Sequence, residues 1–126
     1  MSDSFDDETL KLLAETDLVY IETRRDTGSP EHRTNIWVVV VEGEAFVRSV
    51  RGQKGRWYRE ISSNPQGALH LRGDRIPVHA VPATDGTTVD AVSAALRSKY
   101  EESSPGPTAA MVRPDVLQTT IKLTPA

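Results

Sequence analysis

The residues best suited to chemistry lie in one run, Arg48-Ser49-Val50-Arg51-Gly52-Gln53-Lys54-Gly55-Arg56, extended by Trp57, Tyr58 and Arg59. From 48 to 59 it carries five cations and no acid. Arginine dominates, and a guanidinium grips phosphate or carboxylate through two parallel hydrogen bonds. Glycines let backbone N–H groups approach an anion, and the run enters a predicted helix start, where those groups and the helix dipole favour negative charge. The Walker spacing is missing, so this is not a nucleotide P-loop. On a helix Trp57 and Tyr58 point about 100° apart. One can pack inward while the other borders a cleft, and rings beside a cationic loop suit a planar anionic ligand. The same run also reads as an exposed turn with solvated arginines, with Trp37 and Trp57 in the core.

Other chemistries are poorly supplied. Cysteine is absent, which excludes disulfide scaffolds, thiol catalysis and Cys-based metal sites. His32, His70 and His79 are dispersed. His70 and His79 fall in strands expected to pair, but the sequence places no carboxylate to complete a metal site or a triad, and no metal is expected. The hydroxyls of Thr23, Thr34 and Ser49 lack a GxSxG elbow, which disfavours hydrolase chemistry. Paired carboxylates at useful spacing are missing from the expected cleft.

A chain of 126 residues with 37% hydrophobic and 26% charged residues suits one globular domain over 1–126. The net charge of −3 hides a segregation. Residues 1–23 hold one cation and seven acids, 24–75 ten cations and six acids, and 76–126 four cations and five acids. No global pull toward nucleic acid is expected, and such a partner is disfavoured. No apolar run approaches the roughly 20 residues of a membrane span. The acidic stretch Met1 to Glu8 resembles neither a signal nor a transit peptide, so a cytoplasmic location is the expectation.

The elements that must position the cationic run follow from periodicity and punctuation. Ser4-Phe5-Asp6-Asp7 has capping-box spacing and predicts a short helix with Leu10 and Leu13 inward. Leu18 to Arg24 alternates as a strand, and Asp26 to Glu31 is a polar loop. Arg33 to Val41, with Ile36 to Val41 apolar throughout, predicts a central strand buried on both faces. Glu42-Gly43 turns into a strand over Glu44 to Val50. A helix is predicted over Arg56 to Ser63, stopped at Asn64-Pro65. Ala68 to Leu71 and Arg75 to Val81 form a hairpin around Gly73-Asp74, and Pro77 and Pro82 place its second strand at an edge or seam. Thr87 to Asp90 reads as a capping box for a helix whose stripe is Val89, Val92, Leu96 and Tyr100. Residues 1–4 are expected to fray and 101–109 to form a mobile loop, before a last strand over Val116 to Leu123. The expected class is mainly β (α+β): a small barrel of six antiparallel strands with three short helices.

Three segments carry a resemblance. They are Gly43-Glu44-Ala45-Phe46-Val47-Arg48-Ser49, then Trp57 to Pro65 with the pattern W-x-x-x-(L/I)-x-x-N-P, then Ala68-Leu69-His70-Leu71. Together they resemble the split-barrel flavin-binding proteins, which include the pyridoxamine phosphate oxidase-like enzymes and the deazaflavin-dependent reductases. The helix pattern is most similar to the deazaflavin-dependent nitroreductase branch. Arg33-Thr34-Asn35-Ile36-Trp37, the Phe46 to Ser49 strand and the Gly55 to Arg59 helix start also resemble a small uncharacterised bacterial subfamily of this superfamily.

That resemblance implies a homodimeric six-stranded split barrel with a cofactor in the dimer cleft. The cofactor would be FMN or a deazaflavin, or none. Arg48, Ser49, Arg51, Lys54 and Arg56 would hold its phosphate, Val50 would lie beside them, and Trp57 and Tyr58 would border the ring. The implied function is an oxidoreductase acting on a small molecule. The alternative is a non-enzymatic carrier of a phosphorylated or anionic small molecule.

Overall fold

The computed structural model describes residues 4–126, so the expected fraying of residues 1–3 lies outside the described residues. Trp37 is the pivot of the architecture. The expected strand Arg33 to Val41 breaks there into β2 (His32–Ile36) and β3 (Val38–Val41). The remaining elements are α1 (Asp7–Glu15), β1 (Val19–Thr23), β4 (Glu44–Val47), α2 (Arg56–Ser63), β5 (Gln66–Leu71), β6 (Asp74–Pro82), α3 (Gly86–Tyr100), α4 (Pro105–Met111) and β7 (Ile121–Pro125). Short 3-10 helices cover Gly52–Lys54 and Pro114–Thr119. All seven strands join one antiparallel sheet in the order β2-β1-β5-β6-β7-β4-β3.

The two edges of that sheet are β2 and β3, and only Trp37 separates them in sequence. A twisted sheet whose opposite edges are tied by one residue must roll until those edges approach each other. The expected class, mainly β with antiparallel strands and helices, is what forms. The expected six strands become seven because the bend at Trp37 divides one of them. The expected central position of Val38–Val41 is corrected to an edge, although burial on both faces is found. Val38 belongs to the barrel interior with Val19, Ile21, Val47, Leu69, Val78 and Leu123. Val39 faces outward into a second cluster with Phe46, Val92, Leu96, Tyr100 and Met111. Trp37 stacks on Tyr100 with ring centroids 3.9 Å apart and planes 6° from parallel.

Among the described residues four α-helices replace the expected three. The stretch expected as a loop begins helix α4 at Pro105, where proline's missing N–H costs nothing in the first turn. The expected last strand starts only at Ile121, because Pro114–Thr119 coils as a 3-10 helix. Strand β6 is internal rather than an edge. Pro77 is tolerated because its carbonyl, and hence its nitrogen, faces the tip of β7, where it accepts from Ala126 N at 3.3 Å. Asp6 caps α1 and Asp85 caps α3, each by accepting from the N–H three residues on, in place of the expected Ser4 and Thr87. The stripe Val89, Val92, Leu96 and Tyr100 is buried as expected. Each of its aliphatic side chains contributes roughly 1.5–3 kcal/mol by leaving water.

Two cations, the half-buried Lys99 and the buried Arg48, tie this frame together. Lys99 Nζ donates to the carbonyls of Leu13, Thr16 and Val38, which pins the end of α1 and the start of β3 to α3. Burial pulls its pKa down to about 8. Arg48 follows β4 and is only 1% exposed. Its guanidinium donates to Thr120 Oγ1 (2.9 Å), Ser93 Oγ (2.8 Å), the Met111 carbonyl (3.0 Å) and the Val89 carbonyl (3.1 Å). All four acceptors are neutral. Burial, with repulsion from Arg97, lowers its pKa to about 10, so it stays charged at neutral pH. Arg48→Met should cost about 3 kcal/mol or more, because it strands buried acceptors on three elements. Urea unfolding measures this, and a loss under about 1 kcal/mol would contradict the role.

Candidate functional site

The loop after β4 is shaped by close internal contacts. Ser49 N donates to Thr119 Oγ1 at 3.0 Å, and Ser49 Oγ donates to the Gly52 carbonyl at 2.8 Å. Gly52 N returns to the Ser49 carbonyl, with Gly52 at φ +65, a left-handed conformation that favours glycine. A Cβ on Gly55 would lie 2.6 Å from Ser49 Oγ, so residue 55 must also be glycine. Gly55 then serves as the N-cap of α2 with no side chain to accept from its first turn. The leading N–H groups of α2 are left without a side-chain acceptor, unlike those of α1 and α3.

A cleft of about 320 Å³ opens at this helix start, lined by Thr34, Asn35, Ser49, Val50, Arg51, Gly55, Arg56 and Trp57. It holds two arginines and no acid. Among the described residues, Arg51, Lys54, Arg56 and Arg59 form no ion pair, whereas Arg24, Arg33, Arg75 and Lys122 all do. The cationic run is therefore electrostatically unspent where it meets solvent.

Five of the eight expected site residues line this cleft: Ser49, Val50, Arg51, Arg56 and Trp57. Lys54 is exposed on the adjoining 3-10 turn and outside the lining. Tyr58 meets Trp57 edge to face at 6.3 Å and lines a different hollow with Ile61, Pro65, Ala80 and Ile121. Arg48 was expected at the phosphate but points into the protein, where its donors are taken. Thr34 and Asn35 were not placed at the site by the sequence reading. Only sheet register brings them there, since β2 lies beside α2 through β1.

Two further constellations assemble through the same register. Glu60 of α2 is buried, accepts from Thr23 Oγ1 at 2.8 Å, and contacts His32 Nδ1 at 3.0 Å through Oε2. A carboxylate can only accept, so Nδ1 of His32 carries the proton. Burial alone would raise the Glu60 carboxyl, but the bonds from Thr23 and His32 and the charges of His32 and Arg56 bring it below its ordinary value. On β1, Glu22 accepts from Arg75 Nε and Nη2 at 3.1 and 3.0 Å and from His70 Nε2 at 2.8 Å. Glu22, Glu31 and His70 bring ligand atoms within 4.8 Å of one another, a grouping the sequence did not reveal. Arg75 holds both Glu22 oxygens and Arg24 and Arg33 sit on Glu31, so cations already occupy these carboxylates.

The rolled antiparallel sheet has the split-barrel fold, as similar solved structures show. The chain belongs to the family described as "Uncharacterized protein conserved in bacteria (DUF2255)", which matches residues 9–123. Its fold is similar to that of HutZ, a heme storage protein from Vibrio cholerae, at 13% identity and TM-score 0.60, covering 95% of this chain and 89% of that one. It is also similar to a candidate pyridoxamine 5'-phosphate oxidase from Listeria innocua, at 12% identity, TM-score 0.61 and coverage of 95% and 90%. An F420-H2-dependent reductase, FDR-A, matches at 12% identity, TM-score 0.58 and coverage of 85% and 92%. No curated protein matches the chain in sequence. No helix among the described residues is long and apolar enough to cross a membrane.

The Glu22 cluster makes stability depend on pH. The bidentate Arg75 bond, opposed by burial and aided by His70, holds the Glu22 pKa at about 2 against an ordinary 4.5. A depressed carboxyl stabilises the fold above its unfolded pKa, and that contribution is lost as pH falls toward 2. Glu22→Gln should therefore flatten the fall in urea midpoint between pH 4.5 and 2 relative to the wild type. Identical pH profiles would contradict the assignment.

Proposed function

We propose that the protein is a flavin- or deazaflavin-dependent oxidoreductase acting on a small molecule, with the cofactor held between two copies of the chain. The observation that carries this reading is the pair Arg51 and Arg56, which form no ion pair among the described residues, beside the uncapped start of α2. These groups fit a phosphate: guanidinium donors and first-turn N–H groups converge where glycines keep the backbone bare. Arg51 and Arg56 hold the phosphate, with Lys54 adding charge from the loop. Ser49 fixes the loop, and the Trp57 face orients the ring. When bound, the cofactor supplies hydride chemistry, and the chain supplies binding and orientation.

The dimer is supported by what the cleft lacks. Its volume lies at the lower end of the roughly 300–1,000 Å³ of small-molecule sites. Val50, one of its walls, is an apolar residue 41% exposed. A second copy would cover this apolar surface and complete the site. The lack of cysteine fits a reducing compartment such as the cytoplasm. One observation favours a second reading, a non-enzymatic carrier of an anionic small molecule. Among the eight lining residues no carboxylate, histidine, lysine or tyrosine is present to move a proton.

Adding FMN or a deazaflavin should quench Trp57 fluorescence. Replacing Arg51 and Arg56 together by Ala should weaken that binding at least about tenfold, equivalent to 1.4 kcal/mol or more. Absence of quenching by both cofactors would overturn the reading. A rise in melting temperature with an anionic ligand, without redox turnover, would select the carrier instead.

A further inference from the structure

A second cationic hollow lies on the other flank of Arg56. It has a volume of about 250 Å³ and is lined by Arg25, Arg56, Arg59, Glu60 and Ser63. Arg56 and Arg59 form no ion pair among the described residues, and Arg25 meets only the exposed Asp26 at 3.7 Å, a loose surface contact that yields to a ligand. The one acid in the lining, Glu60, is already engaged by Thr23 and His32. Three guanidiniums thus face a space whose one carboxylate, Glu60, is hydrogen-bonded to Thr23 and His32, so positive charge is in excess.

His32 sits one hydrogen bond from that lining. Its Nδ1–H is fixed on Glu60, its side chain is 36% exposed, and Nε2 has no partner among the described residues. A buried carboxylate that fixes one imidazole nitrogen leaves the other oriented for proton exchange, an arrangement shared with acid–base histidines. In the strand, His32 and Thr34 share one face about 7 Å apart. Thr34 lines the first cleft. Arg56 lines both hollows.

We propose that this second hollow is the substrate subsite: Arg25, Arg56 and Arg59 grip an oxyanion of the substrate, and Nε2 of His32 exchanges the proton. The assignment rests on the cofactor reading for its chemistry. When bound, a reduced cofactor would supply a hydride to the carbon of a polarised double bond of the substrate. Solvent would first protonate Nε2 of the Nδ1–H tautomer, and His32 would pass that proton to the other atom of the bond and return to its neutral form. Glu60 is a positioning residue that fixes the tautomer. The first cleft lacks a proton-moving group, and in this assignment His32, outside both linings but bonded to Glu60 of the second, supplies it.

The test follows the three histidine rings of the cofactor-free protein by two-dimensional ¹H–¹⁵N NMR while inorganic phosphate, and separately succinate, is added. His32 should show the Nδ1–H tautomer. Its signals should shift on titration while those of His70 and His79 stay, with the stronger of phosphate and succinate naming the oxyanion. Exchanging Arg25 and Arg59 together for Ala should weaken this response at least about tenfold and leave flavin quenching of Trp57 intact. A His32 response without flavin quenching would keep the subsite and remove the cofactor reading. No His32 response, or equal shifts at all three histidines, would overturn the proposal, as would an Nε2–H tautomer at His32.

Discussion

The arrangement hangs on one charge that has been taken out of water. Arg48 lies inside the protein with no carboxylate to compensate it, and its charge is spread over two hydroxyls and two carbonyls. A lone buried ion is costly unless every donor finds an acceptor, so the elements supplying those acceptors must hold their places. They come from α3, the end of α4 and the residue before β7. The next residue, Ser49, is the one whose hydroxyl folds the cationic loop back on Gly52. Arg48 thereby connects the helices outside the barrel to the loop that presents Arg51 and Arg56. The sequence offered it as a ligand to an anion, but its contribution is to hold the strand end that aims the others.

The second constraint is geometric. Because β2 and β3 are separated only by Trp37, the sheet rolls, and β2 comes to lie where α2 can cover it. Residues nearly thirty positions apart, such as His32 and Glu60, then meet across the strand–helix joint. The same joint gathers Thr34 and Asn35 at the start of α2 and places Arg25 beside Arg59. The charge segregation of the sequence acquires a location. Arg51, Lys54, Arg56 and Arg59, which lack carboxylate partners, lie at the start of α2 or on it, while Arg24, Arg33 and Arg75 are absorbed by Glu22 and Glu31.

Much of the fold was legible because it rests on local rules. Asn64-Pro65 ends α2 after Ser63, and Glu42-Gly43 turns β3 into β4 with both residues at positive φ. The apolar stripe of α3 could be read from spacing alone. What escaped depends on long-range pairing. A run of apolar residues shows that Val38 to Val41 is buried on both faces, but a helix covering an edge strand gives the same pattern as a central strand. The site divides in the same way. Composition picked out Ser49, Arg51, Arg56 and Trp57, whereas the inward turn of Arg48, the separate hollow of Tyr58 and the His32–Glu60 pair follow from sheet register, which no local pattern records.

The central claim is that the start of α2 grips a phosphate that belongs to a ring-bearing cofactor. Calorimetric titration of the protein with FMN and, in parallel, with riboflavin, which has the same ring and no phosphate, measures that grip directly, and a deazaflavin with and without its phosphate extends the comparison. We expect the phosphorylated form to bind at least about tenfold more tightly, a difference of 1.4 kcal/mol or more that disappears when Arg51 and Arg56 are replaced by Ala. Equal affinity for the two forms, or a preference that survives those replacements, would contradict it.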